Sequence, residues 1–178
     1  MTEIINYLFE AYATHSAFEI VLECIAFGFG IISVIYAKKE NILVYPTGIT
    51  CTLITMYFMF NERLIGHMMV NLFYTLMSIY GWWNWSRKEN DVVKVKIAKF
   101  VFKDLPKASL IFFFIVFISY FLHEYFDTDL GTYASLDIFT SGIFVTAMWL
   151  MANKKLENWV LWIIGNVITI PLYFGSDK

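Results

Sequence analysis

Six apolar blocks, each close to the length of a helix that crosses a lipid bilayer, constrain this chain more than any other feature. They run over 17–37, 42–60, 64–85, 108–126, 133–152 and 158–175. A helix rises 1.5 Å per residue, so about 20 apolar residues span the hydrocarbon core. Hydrophobic residues make up 59% of the chain and charged residues only 16%, a balance that a soluble domain rarely carries. The sequence therefore predicts an all-α, polytopic membrane protein with six spans. Residues 1–16 hold Glu3 and Glu10 but no Lys or Arg, so no cleavable signal is read there.

Charge sets the expected topology. The segments after the first and fifth spans carry Lys38, Lys39, Lys154 and Lys155, and the connection 86–107 carries seven more basic residues. These three segments hold all but Arg63 and Lys178 of the 13 Lys and Arg, and an outside amino terminus puts all three in the cytoplasm. Arg63 then lies outside, beside the acidic loop of Glu124, Asp127 and Asp129. The expected location is an inner membrane, with the amino terminus periplasmic. Cys24 and Cys51 both fall within spans and read as small apolar residues rather than a disulfide.

A weak internal repeat organises the chain. Glu23-x4-Gly28 leading into Tyr36–Asn41 resembles Asp137-x4-Gly142 leading into Met151–Lys155 and Asn158, with an offset that drifts from 114 to 117. Spans one and five run in the same direction, so the repeat is parallel, an arrangement known from transporters. The expected divisions are a first repeat over 17–85, a cytoplasmic connection 86–107, a linker helix 108–126, and a second repeat over 133–178. Together they form one transmembrane domain on a 3+1+3 plan without its last helix. The connection, which alternates apolar and basic residues around 93–99, reads equally as an amphipathic segment on the inner leaflet or as a solvated linker.

One helical face stands out chemically. Trp159, Trp162 and Asn166 recur at steps of three and four, and the stripe continues to Thr169 and Tyr173. An amide in lipid needs a partner, and indoles offer flat stacking surfaces, so the stripe suits a planar polar ligand. Span three carries a second stripe of His67, Asn71, Tyr74, Ser78, Gly81 and Trp85, of which Asn71 and Tyr74 are the ligand candidates. Ser78 and Gly81 read equally as helix–helix contacts. Trp82, Trp83 and Trp85 read as an aromatic belt.

Glu23 and Asp137 are pathway candidates because ionisable groups within spans are costly, although a structural hydrogen bond is the leading reading for both. Glu19 reads as interfacial. Pro46, Gly48 and Pro171 suit either irregularities that open a cavity or tolerated kinks. No nucleophile–base pair, phosphate loop or nucleic-acid surface is present, so neither an enzyme nor a nucleic-acid partner is expected, and no cofactor. His15, His67 and His123 are scattered over three segments, so no metal site is expected.

Trp159-x2-Trp162-x3-Asn166, Tyr45-Pro46-x-Gly48 and Tyr80-Gly81-Trp82-Trp83-Asn84-Trp85 resemble the PnuC-type vitamin transporters, as does the helix plan, from about residue 17 onward. The resemblance implies facilitated uptake of nicotinamide riboside, drawn inward by a cytoplasmic nicotinamide riboside kinase, and a homotrimer in the bilayer. It implies that Trp159, Trp162 and Asn166 contact the substrate. In the first half, the residues expected opposite Trp162 are Tyr45 or Pro46, and those opposite Asn166 are Ile49 or Thr50. A thiamine or riboflavin carrier is the nearest alternative, and a non-transporting scaffold or sensor the alternative of another class.

Overall fold

The computed structural model describes residues 16–63, 65–89, 92–93, 95–126 and 134–176. Six helices account for the expected spans: α1 (Ala17–Lys38), α2 (Val44–Asn61), α3 (Ile65–Ser86), α4 (Leu105–Phe126), α5 (Ala134–Ala152) and α6 (Asn158–Ser176). The acidic residues Asp127 and Asp129, and His15, lie outside the described residues, as do the side chains of Pro171 and Tyr173.

Among the described residues, α1, α5 and the stretch Phe102–Tyr125 are long and apolar enough to cross a membrane on composition alone. Helices α2 and α3 are more polar, and the bundle accounts for it. Within α2, the hydroxyls of Thr47, Thr50 and Thr55 donate to the carbonyls of Leu43, Pro46 and Cys51 at 2.7, 2.9 and 2.9 Å. Those groups need no water. On α3, Ser78 and Trp85 are buried, and Gly81 with them. The polar stripe of α3 thus faces the bundle. Exposed Phe27, Ile31, Leu110, Phe113 and Phe117 on α1 and α4 give the outer surface the apolar character lipid requires.

Local chemistry starts and stops these helices. Ser16 and Glu19 form a capping box at the start of α1, so the acid read from sequence as interfacial satisfies the helix end. Pro46 lies in the first turn of α2, where no intrahelical N–H partner is lost, rather than at a cavity-opening kink.

The turns after α1 and α5 close in the same way. Glu40 N bonds Ala37 O and Asn41 N bonds Tyr36 O; Lys154 N bonds Met151 O and Lys155 N bonds Leu150 O. These are paired Schellman-type closures, with Glu40 and Lys154 at φ 50° and 51°. The next helices start alike as well, Val44 N on Asn41 O and Asn158 N on Lys155 O. The offset through this region is a constant 114, which corrects the drift expected from sequence. Asn158 corresponds to Val44, not to Asn41.

Helix α3 packs on α2, α4 and α5 and so ties the halves together. At its end, Asn84 Nδ2 and Trp85 Nε1 both donate to Ala152 O, at 3.0 and 3.1 Å. Trp85 is therefore a buried bridge and not a belt residue, whereas Trp82 and Trp83 are exposed as a belt requires. Among the described residues, the connection after α3 is tied to itself and to the bundle. Residues Lys88–Glu89 and Val92–Val93 pair as a short hairpin. Ala98 then exchanges backbone bonds with Lys154 and Leu156, and Asp104 pairs with Lys155 at 2.7 Å.

Candidate functional site

Two cavities lie between the halves. The first, of about 450 Å³, is bounded by α1, α2, α3, α5 and α6. Its wall includes Val34, Ala37, Tyr45, Gly48 and Thr52 from the first half, and Met148, Met151, Trp159, Trp162 and Asn166 from the second. Each residue of the first set stands 114 positions before its counterpart in the second. By that offset Gly48 corresponds to Trp162 and Thr52 to Asn166, in place of the Tyr45 or Pro46 and the Ile49 or Thr50 expected from sequence.

The second cavity, of about 310 Å³, is lined by Asn71, Tyr74, Asp137, Phe144 and Thr169 among others, and shares Tyr74, Trp162 and Asn166 with the first. These three residues form the waist between two chambers. Both volumes are within the range of small-molecule sites.

Packing fixes the waist. Phe144 of α5 stacks on Trp162, with ring centroids 5.4 Å apart and planes inclined by 29°. Gly165 permits this, because a Cβ there would lie 2.3 Å from Phe144 Cε1. Asn166 Nδ2 donates to Trp162 O at 2.8 Å, which orients its carboxamide along the cavity wall. Asn71 Nδ2 donates to His67 O and reaches Met59 Sδ, both at 3.2 Å. Thr169 donates to Gly165 O at 2.8 Å.

The structure thus gathers Trp159, Trp162, Asn166, Asn71, Tyr74, Asp137 and Thr169 on two connected cavities. Glu23 does not join them. It continues the face of Ala26, Gly30 and Ser33, but it is exposed, and the cavity begins only at Gly30. Tyr45, Gly48, Thr52 and Phe144 are wall residues that sequence reasoning did not select as ligand contacts. The constant offset of 114 would have found the first three.

The histidines also depart from expectation. His67 of α3 and His123 of α4 are not scattered in space: both Nε2 atoms face Asp137 Oδ2, at 3.0 and 3.6 Å. Their rings meet edge-on with centroids 5.0 Å apart. Three helices converge here at positions far apart in sequence.

A helical bundle with an apolar outer surface and a polar, aromatic passage between its halves is the architecture of a multi-pass membrane transporter. This chain belongs to the family described as nicotinamide mononucleotide transporter, which matches residues 20–178. The nicotinamide riboside transporter PnuC of Escherichia coli K12 is similar, 25% identical over 81% of this chain and 70% of its own length. The transporter of that name from Neisseria mucosa is 28% identical over 81% of this chain and 56% of its own. The crystal structure of the vitamin B3 transporter PnuC shares the fold, with a TM-score of 0.64 at 22% identity over 93% of this chain and 80% of the other.

Proposed function

We propose that this chain is a carrier for facilitated uptake of nicotinamide riboside across a bacterial inner membrane. The family and the names of its relatives support a nicotinamide cargo. The observation that carries the choice of riboside is the charge of the passage. Among the described residues lining the two joined cavities, Asp137 is the one acid, and there is no Lys or Arg. A mononucleotide brings a phosphate, which is bound by cationic groups or by backbone N–H nests. A riboside brings a flat cationic ring and neutral hydroxyls. Indole faces attract such a cation by about 0.5–1 kcal/mol at exposed sites and about 2 kcal/mol when it is desolvated. Asn166, Asn71 and Tyr74 supply hydrogen-bonding groups for a carboxamide or sugar.

In this reading Trp159, Trp162 and Asn166 contact the substrate, with Asn71, Tyr74 and Tyr173 beside them and Thr169 and Asp137 along the path. The amino terminus is periplasmic, three copies associate in the bilayer, and a cytoplasmic nicotinamide riboside kinase traps the cargo. Equilibrium binding of nicotinamide riboside, nicotinamide mononucleotide, thiamine and riboflavin to detergent-purified protein tests the proposal. Saturable binding of the riboside alone, lost in Asn166→Leu with helicity retained, is the expected result. Preference for the mononucleotide, or unchanged binding in Asn166→Leu, overturns it.

A further inference from the structure

We infer that His67, His123 and Asp137 form a binding site for a divalent transition cation of the zinc type, set in the wall of the smaller cavity. The three donor atoms, contributed by α3, α4 and α5, all lie within 4.8 Å of one another. Tetrahedral zinc holds nitrogen and carboxylate oxygen at about 2.0–2.2 Å, which puts neighbouring donors about 3.3 Å apart. The two imidazole–carboxylate separations, 3.0 and 3.6 Å, bracket that edge length, and the third edge, within 4.8 Å, closes by a side-chain adjustment as the ion binds.

Proton accounting points the same way. His123 Nδ1 is 2.8 Å from Ser119 O, and a carbonyl only accepts, so Nδ1 carries the hydrogen. In the neutral ring, Nε2 then presents its lone pair toward a carboxylate oxygen 3.6 Å away. A proton or a metal cation between these two atoms makes the contact favourable, and His123 is buried. An extra proton on His123 would serve that one contact. A metal ion would take a lone pair from each of the three groups at once. The Ser119 bond is also the outer support that metal-binding histidines use to fix tautomer and ring orientation.

Three protein donors leave one tetrahedral position open. His67 and Asp137 are both wall residues of the cavity, so that position faces the passage and takes a water. The ion would pin α3 and α5 to the linker helix at one end of the bundle. This site stands whichever vitamin is carried.

The test is calorimetric titration of the detergent-purified, tag-free chain with zinc chloride, with elemental analysis after dialysis, in the absence of any vitamin. One zinc per chain is expected, with affinity lowered at least 100-fold in H67Q and in D137N. Cobalt(II) bound to the wild-type protein should give the intense visible bands of a tetrahedral site, a readout that does not depend on any variant folding. Binding that is not saturable at one ion per chain overturns the assignment. So does zinc affinity unchanged in both variants, or a cobalt spectrum of six-coordinate aqueous type. A proton-filled cluster gives the first of these results.

Discussion

Phe144 and Trp162 stack across the interface of α5 and α6 because residue 165 has no side chain. The pair forms one wall of the waist between the chambers, so the shape of the passage depends on a backbone position that touches no ligand.

Gly165→Ala should therefore disturb binding from outside the cavity. Its methyl would lie within van der Waals overlap of Phe144, and such overpacking costs about 1–3 kcal/mol. Phe144 and Trp162 must shift together. The expected outcome is at least a tenfold loss of riboside affinity with unchanged helical content, read by calorimetry and far-ultraviolet circular dichroism. Ile164→Ala, on the exposed side of the same helix, should leave affinity within twofold.

Tyr45 offers a contrast between shape and polarity. Its ring is buried, packs edge-on to Trp85 at 5.1 Å and presses on Gly81, yet its hydroxyl has no hydrogen-bond partner among the described residues. Tyr45→Phe should be neutral or stabilising by up to about 1 kcal/mol, since an unsatisfied hydroxyl is removed. Tyr45→Ala should cost about 3 kcal/mol or more through the void it leaves. Thermal unfolding in detergent compares the two variants.

Asn84 and Trp85 share one acceptor, so their losses should not add. Asn84→Leu and Trp85→Phe each remove one bond to Ala152 O, worth about 1 kcal/mol. The double variant should lose more than the sum, because in each single variant the carbonyl is still held by the other donor and only the double variant leaves it unpaired. A double-mutant cycle in thermal stability measures the difference.

The connection between the halves should be protected by its ion pair. Asp104→Asn weakens the 2.7 Å contact to Lys155 that holds the end of the connection against the α5–α6 turn. Global stability should barely change, as for other solvent-screened pairs. Tryptic cleavage at Lys96, Lys99 and Lys103 should nonetheless quicken several-fold, read by gel or mass spectrometry.

The spans were legible because block length is a one-dimensional signal, and their bounds agree with the helices to within about three residues. The tryptophan–asparagine stripe was legible because helical periodicity alone puts Trp159, Trp162 and Asn166 on one face. The partners of that stripe were not. Matching Asn158 to Asn41 by residue type shifts the repeat by three positions, whereas backbone hydrogen bonds at the turns fix the offset at 114. Residue identity misled where turn geometry did not. The His67, His123 and Asp137 group was hidden for another reason: its members are separated by 56 and 14 positions, and only the crossing of three helices unites them.

The Ala152 carbonyl has a mechanical consequence. Any motion that parts α3 from α5 at that end must give up both donors together, while neither bond resists rotation about the point where they meet. A turn of α3 against α5 that keeps both bonds would pivot about this carbonyl, and a contact between His67 and Asp137 at the other end of the two helices, far from the pivot, has the longest lever with which to hold it.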